Sequence, residues 1–355
     1  MAERFLIVRL GALGDIVHAI PVAAALRKAF PAARIDWLVS AKHRELLDLV
    51  PVIDRRLVIN DRPAAGSRRD DGGGASLWQA IVELRRARYD AAIDLQGLLK
   101  SALLARASGA GRVAGFAPSY LRERLARVFY TEVYDPGCNG LYDPRETRHV
   151  VEINLGLLSP FGIAVGAAEF PIEHVDSAIA RDMLQRTGGR YALLNPGAAW
   201  PNKRWPTSRL GAIAAGLRER HGLSSVVLWG PGEESLGREV VAASAGSAVL
   251  SPQTSIADVI ALVRGAAVML SGDTGPTHIA AAVGTPLVGL YGPTRAQRNG
   301  PWAPADITIS REAICQCHHL RRCRLETMCL LDIQVDEVAS ALDRRLAAGA
   351  TSAAR

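Results

Sequence analysis

Two doubly wound, Rossmann-like α/β domains are what this sequence predicts. Short apolar runs of strand length alternate with helical stretches along the whole chain. That alternation breaks off near residues 162–189 and then restarts. At 355 residues the chain is also too long for one ordinary core. The expected division is 1–170, 171–330 and a closing helical segment 331–355. Both halves are α/β with mostly parallel sheets. Their loops at strand carboxyl ends are expected to face a cleft, where ligands bind in such folds.

The first half opens with RFLIVRL at residues 4–10, a buried strand. Gly11-Ala12-Leu13-Gly14-Asp15 and a helix over 16–30 follow, with Pro21 shortening or kinking the first turn. The glycines permit a tight strand-to-helix turn. The spacing is G-x-x-G-D, not the G-x-G-x-x-G with a later acid that marks dinucleotide binding, which disfavours a nicotinamide dehydrogenase. Asp15 sits at the mouth of the turn, where a carboxylate either caps the helix or acts on a substrate.

Strands at 35–39 and 56–59 flank a helix at 42–50. Residues 60–75, NDRPAAGSRRDDGGGA, have no apolar period and read as a loop. It is either a solvated insertion or a flap whose Arg62, Arg68 and Arg69 meet an anionic substrate. A helix at 77–88 and a strand at 89–95 come next; the strand carries Asp94 near its end, and Gln96-Gly97 turns into a helix bearing Lys100 and Ser101. A strand at 111–116 precedes a helix with Arg122, Glu123 and Arg127. A longer helix is expected over 145–161, with His149 near its start.

The second half repeats the scheme. A strand at 191–195 leads into residues 196–206, a loop that presents Lys203 and Arg204 between prolines. A helix (207–221), a strand (225–229) and the turn Gly230-Pro231-Gly232-Glu233-Glu234 follow. A helix at 255–264 and a strand at 266–270 lead to SGDTGPTHIAAAV at residues 271–283. Pro276 suits the first helical turn, where no amide donor is required. The unpaired N–H groups there and the positive end of the helix dipole form an anion site. Asp273, Thr274, Gly275 and His278 are expected to line it, around a phosphate-bearing ligand.

Composition narrows the classes further. The chain is 49% hydrophobic and 22% charged, ordinary for a globular protein. No apolar run is long enough to span a membrane, and the first strand is too short for a secretory signal. Five cysteines, an odd number, give no disulfide framework, so a cytoplasmic protein is expected. The net charge of +7 is spread over both halves. It suits anionic ligands or an anionic membrane surface, whereas no nucleic-acid module or basic stripe is present. Cys315, Cys317, Cys323 and Cys329, with His318 and His319, invite a zinc reading, but the spacing is not that of paired C-x2-C knuckles. The expectation is no metal and no cofactor.

Taken together the motifs resemble the family-9 glycosyltransferases, the bacterial heptosyltransferases of lipopolysaccharide core assembly. The pieces are RLGALGD (Arg9 to Asp15), DLQGLLKSA (Asp94 to Ala102), LRERLARVFY (Leu121 to Tyr130), NPGAAWPNKRWP (Asn195 to Pro206), LWGPGEE (Leu228 to Glu234) and SGDTGPTHIAAAVGTPLVGLYGPT (Ser271 to Thr294). They occur in family order over nearly the whole chain. The resemblance implies a GT-B fold, with the last helix returning to the first domain. It implies inverting transfer of heptose from ADP-heptose to a Kdo residue or inner-core heptose, at the cytoplasmic face of the inner membrane. Asp15 matches the general base. Lys203 matches a basic residue at the nucleotide phosphates, Asp273, Thr274, Gly275 and His278 the donor motif, and Glu233 or Glu234 a donor-site acid. Lys100 and Arg122 match acceptor-side positions, and Arg62 of the flap joins them. Ala198-Ala199 stand where some members carry hydroxyl residues, and cysteine clusters like this one occur near the ends of some members. The rival readings are another GT-B enzyme with a different nucleotide sugar, a sugar-nucleotide epimerase, or a non-catalytic nucleotide-sugar-binding protein.

Overall fold

The computed structural model describes residues 3–60, 75–137, 139–141, 143, 145–318, 320–323 and 328–353. The chain divides into two compact units, Met1–Glu173 and His174–Arg355. Each unit is built on one six-stranded sheet, and every strand pair is parallel.

The first sheet holds β1 (Arg4–Val8), β2 (Arg34–Ser40), β3 (Arg55–Ile59), β4 (Ala91–Asp94), β5 (Arg112–Phe116) and β6 (Glu132–Tyr134), in the order β3-β2-β1-β4-β5-β6. The second holds β7 (Tyr191–Asn195), β8 (Ser224–Val227), β9 (Ala248–Leu250), β10 (Val268–Gly272), β11 (Leu287–Tyr291) and β12 (Ile307–Ser310), in the order β12-β11-β10-β7-β8-β9. Counted within its unit, each sheet has the doubly wound order 3-2-1-4-5-6. The strand order therefore reverses between β1 and β4 in one unit and between β7 and β10 in the other. Those are the two points where such sheets hold ligands.

The central strands read as continuous apolar runs because helices cover both of their faces. Phe5 to Val8 and Ala192 to Leu194 are fully buried. Trp37, also fully buried, donates its indole N–H to the Arg9 carbonyl at 3.1 Å, so even this large side chain has its polar atom satisfied.

Prolines account for two helix boundaries. The expected helix over 16–30 is two helices, Leu13–Val17 and Ile20–Ala29, and Pro21 opens the second. The expected helix over 145–161 is shorter, Val150–Gly156 followed by a 3-10 turn at Ser159–Phe161 that contains Pro160. Arg122 and Glu123 precede a 3-10 helix, Arg124–Phe129, and are not inside a helix.

The closing helix, Val335–Ala353, belongs to the second unit. Val338, Ala341, Leu342 and Leu346 lie in that unit's core, and Arg345 pairs with the buried Asp306 at 2.9 Å. The apolar positions 338, 341, 342 and 346 form one helical stripe, and β10 to β12 with the helix Thr207–His221 receive it. No described helix is long and apolar enough to cross a membrane.

Candidate functional site

In the second unit the loops after β7 and β10 meet at the point where the strand order reverses. Asn195 and Ser271, the register partners at the ends of these strands, are joined by a 3.0 Å hydrogen bond from Asn195 Nδ2 to Ser271 Oγ. The same Nδ2 donates to Thr274 Oγ1 at 3.0 Å. Thr277 Oγ1 lies 3.0 Å from Thr274 Oγ1, 2.8 Å from Ser271 Oγ and 2.5 Å from the Gly272 carbonyl. This buried network fixes the turn between β10 and the helix Gly275–Val283. A glycine is required at 272, because a Cβ there would stand 2.8 Å from the Lys203 carbonyl. The loop carrying Lys203 therefore lies directly on the end of β10.

Lys203 is brought to Asp273 by that contact. Its Nζ is 2.5 Å from Asp273 Oδ2 and 4.5 Å from the centre of the Trp200 ring. His278 Nε2 is 3.0 Å from the other oxygen, Oδ1. All three side chains are nearly buried, with relative exposures of 15%, 7% and 8% for Lys203, Asp273 and His278. Burial alone would push the Asp273 carboxyl up; the His278 hydrogen bond and the Lys203 charge outweigh it and hold the group well below the usual carboxylate range. Asp273 thus stays ionised and orients one ammonium and one imidazole. Beside them is the N-terminus of Gly275–Val283, with Pro276 in its first turn. The unpaired amides of that turn point along the helix axis. A cation, an imidazole and oriented amides at one spot can hold a phosphate or diphosphate.

A depressed carboxyl adds stability that is present above its unfolded pKa and drains away as pH falls toward the folded value. The stability advantage of the natural protein over Asp273→Asn is expected to shrink by about 1.4 kcal/mol per unit below about pH 4. Urea unfolding at a series of pH values measures this. An advantage that stays constant through the acid range contradicts the pairing.

The two glutamates of the next loop separate cleanly. Glu233 lies over the Lys203 loop: it is 3.3 Å from Arg204 Nη2 and accepts from the Gly230 amide. Its carboxylate fills the space a Cβ on Gly197 would need, 2.0 Å away. Arg204 also donates to the Ala198 carbonyl at 2.8 Å, bracing the loop. Glu234 instead pairs with Arg238 one turn along its own exposed helix and does not join the cluster. Of the two, Glu233 is the one that faces the Lys203 loop.

The cysteine segment buttresses the same loop from behind. Cys315, Cys317 and Cys329 are buried together, with Cys323 against them. Asn202, next to Lys203, donates to the Leu320 carbonyl at 2.9 Å and to Cys317 Sγ at 3.5 Å. Burial pushes the Cys315 and Cys329 thiols up. Among the described residues no three His, Cys, Asp or Glu side chains are arranged to hold a metal ion.

In the first unit Asp15 follows β1 and Asp94 ends β4, the two strands at that sheet's reversal point. Asp15 Oδ2 is 2.8 Å from Arg9 Nη2 and accepts from the Ala12 amide at 3.2 Å; its side chain is 43% exposed. Arg9 itself is anchored by donating to the Leu95 carbonyl. The capping reading of Asp15 holds, since its carboxylate accepts from the N-cap amide of the short helix, and the side chain is partly open to solvent.

Asp94 is wholly buried and accepts from four donors, the Gln96 and Gly97 amides, Ser101 Oγ at 2.9 Å and Tyr130 Oη at 2.7 Å. With those four bonds it shapes the turn. Lys100 is half-buried beside Ser101, and Arg122 is exposed in the following loop. His149 caps the helix Val150–Gly156 by accepting from the Val151 amide. Arg62, Arg68 and Arg69 lie outside the described residues.

Arg9, Asn195 and Thr277 join the site without having been singled out in the sequence. The available signal was a polar side chain at the carboxyl end of a buried strand or in the first turn of the following helix.

Comparisons with known proteins point to one family. The family model for glycosyltransferase family 9 (heptosyltransferase) matches residues 76–329. The chain is 30% identical to lipopolysaccharide heptosyltransferase 1 of Salmonella typhimurium over 299 residues, 82% of this chain and 89% of that one. To the protein of the same name from Pseudomonas aeruginosa it is 29% identical over 323 residues, 88% and 85% of the two chains. Among solved structures, the E. coli heptosyltransferase WaaC with ADP superimposes with a TM-score of 0.74 at 23% identity, covering 96% of this chain and 99% of that one. That likeness concerns the fold.

Proposed function

Because the chain belongs to glycosyltransferase family 9, the heptosyltransferases, we propose that it transfers heptose from ADP-heptose to the Kdo or inner-core heptose region of nascent lipopolysaccharide, with inversion at the anomeric carbon. The observation that carries the donor half is the Lys203–Asp273–His278 cluster beside the N-terminus of Gly275–Val283. A nucleoside diphosphate leaving group gains negative charge as its bond to the sugar breaks. Preorganised cations and amides in a partly dry site are the effective way to stabilise that charge.

In this reading Lys203 meets the diphosphate and the amides of Gly275 and Thr277 meet its oxygens. Asp273 acts as a positioning residue, since both of its oxygens already hold Lys203 and His278. Thr274 sets the turn, because its hydroxyl is held by Asn195 and Thr277. Glu233 is the donor-site acid, placed beside Arg204 on the Lys203 loop. Asp15 takes the proton from the attacking acceptor hydroxyl as the new bond to the anomeric carbon forms and the bond to the diphosphate breaks. A carboxylate is a weak base, so this proton moves late, once the hydroxyl has begun to acquire positive charge. Lys100 and Arg122 serve the anionic acceptor, and Arg62 is assigned with them. The acceptor is a lipid, so the protein works in the cytoplasm against the inner membrane.

Donor choice tests the reading. With a lipopolysaccharide precursor as acceptor, ADP-heptose is expected to be consumed and UDP-sugars left intact; turnover of a UDP-sugar in preference to ADP-heptose overturns the assignment. Glu233→Gln is expected to raise KM for the donor about tenfold, the loss of one charged hydrogen bond. Glu234→Gln is expected to leave KM within about twofold of the natural value, as befits a solvent-side ion pair. Equal effects of the two substitutions, read from initial rates, contradict the separation.

A further inference from the structure

Among the described residues, the three most exposed large apolar side chains are Trp78, Val128 and Leu125, at 74%, 71% and 69%. All three lie in the first unit. Leu125 and Val128 stand on the 3-10 helix Arg124–Phe129, which packs against the helix Leu99–Ala107, where Leu99 and Leu103 are exposed as well. The Glu123 carboxylate accepts from the Leu99 amide at 2.6 Å and ties the two elements together. Trp78 opens the helix Leu77–Ala87, which also packs against Leu99–Ala107. These elements leave the sheet after β3, β4 and β5, at the carboxyl edge that also carries Asp15 after β1.

Single exposed leucines are ordinary, but several on touching elements at one sheet edge mark an interaction surface. Its charge identifies the partner. Arg106, Arg122 and Arg124 are exposed on the same elements, and the acid between the last two, Glu123, is engaged by the backbone. A second copy of this face would set arginine against arginine. An anionic bilayer complements both features, with aliphatic and indole side chains entering the headgroup boundary and guanidinium groups meeting phosphates.

We propose that the face formed by Arg124–Phe129 and Leu99–Ala107, with Trp78 at its margin, docks on the anionic surface of a lipid bilayer. The proposal deepens the lipid-acceptor reading above and rests on it for its purpose, since a face beside the Asp15 edge would bring the enzyme to an acceptor embedded in the membrane.

Co-sedimentation of the full chain with vesicles tests it. The protein is expected to pellet with phosphatidylethanolamine–phosphatidylglycerol vesicles, less so as salt is raised, and weakly with phosphatidylcholine. The double substitution Leu125→Asp/Val128→Asp is expected to weaken partition to the anionic vesicles about a hundredfold, because apolar area is lost and two like charges are added. Arg124→Gln is expected to weaken it about fivefold on anionic vesicles and leave phosphatidylcholine unaffected. Unchanged thermal melting verifies that these surface variants fold. Toward a soluble Kdo oligosaccharide without acyl chains, Leu125→Asp/Val128→Asp is expected to turn over normally, while transfer to a vesicle-embedded acceptor falls. Failure of the natural protein to bind anionic vesicles, binding that the double variant leaves unchanged, or a dimer that the double variant abolishes each overturn the proposal. If no acceptor is glycosylated, the functional reading fails separately, and vesicle binding still decides the fate of the surface.

Discussion

Lys203→Ala is expected to lower kcat/KM for the sugar nucleotide about a thousandfold, roughly 4 kcal/mol at 1.4 kcal/mol per tenfold. The lysine has two tasks that the substitution removes together. In the proposed mechanism it neutralises developing charge on the leaving diphosphate, and in the structure it balances Asp273, whose carboxylate is buried and held ionised. The second loss lowers stability as well, by up to about 3–5 kcal/mol, because the buried carboxylate loses its cation and keeps only His278. A second substitution separates the two effects. Lys203→Ala/Asp273→Asn removes the stranded charge, so its melting temperature is expected to recover most of the loss while kcat/KM stays low. Recovery of activity along with stability means that Lys203 acts only by supporting the fold.

Asp15→Asn is expected to lower kcat about a thousandfold, within the range of about 10²–10⁴ attributed to a positioned base. Asparagine preserves the shape of the side chain and still accepts from the Ala12 amide, but it takes up no proton. The lost attraction to Arg9 is that of a half-exposed pair, so stability changes by less than about 1 kcal/mol. Donor affinity is expected to hold, because every donor-site group named above lies in the other unit. Single-turnover transfer together with calorimetric binding of ADP separates these quantities. Near-normal turnover in a normally folded Asp15→Asn protein removes Asp15 from the base assignment.

Much of this was legible from the sequence, because the decisive features are local. RFLIV, YALLN and VMLSG are strands buried on both faces, so they appear as unbroken apolar runs. The turn Ser271 to Pro276 announces a helix N-terminus through glycine, threonine and proline alone. What stayed hidden depends on strands brought together from distant parts of the chain. Nothing in the sequence sets β7 beside β10, so the Asn195–Ser271–Thr274–Thr277 network and the contact of Gly272 with the Lys203 loop were invisible. Glu233 and Glu234 are neighbours of identical type, and only the course of the backbone turns one toward Gly197 and the other toward Arg238. The apolar stripe of the closing helix states that it packs, and the sheet topology supplies the surface it meets in the second unit.

The central claim is that this chain joins heptose from ADP-heptose to the inner core of lipopolysaccharide. Its most direct test is to incubate the purified protein with ADP-heptose and, in parallel, with Kdo2-lipid A or its heptosylated product, and to weigh the lipids by mass spectrometry while following ADP release. The account predicts that one of the two acceptors gains the mass of a single heptose, with one ADP released per lipid modified. If both lipids keep their mass while the protein binds and consumes a different nucleotide sugar, the account is wrong.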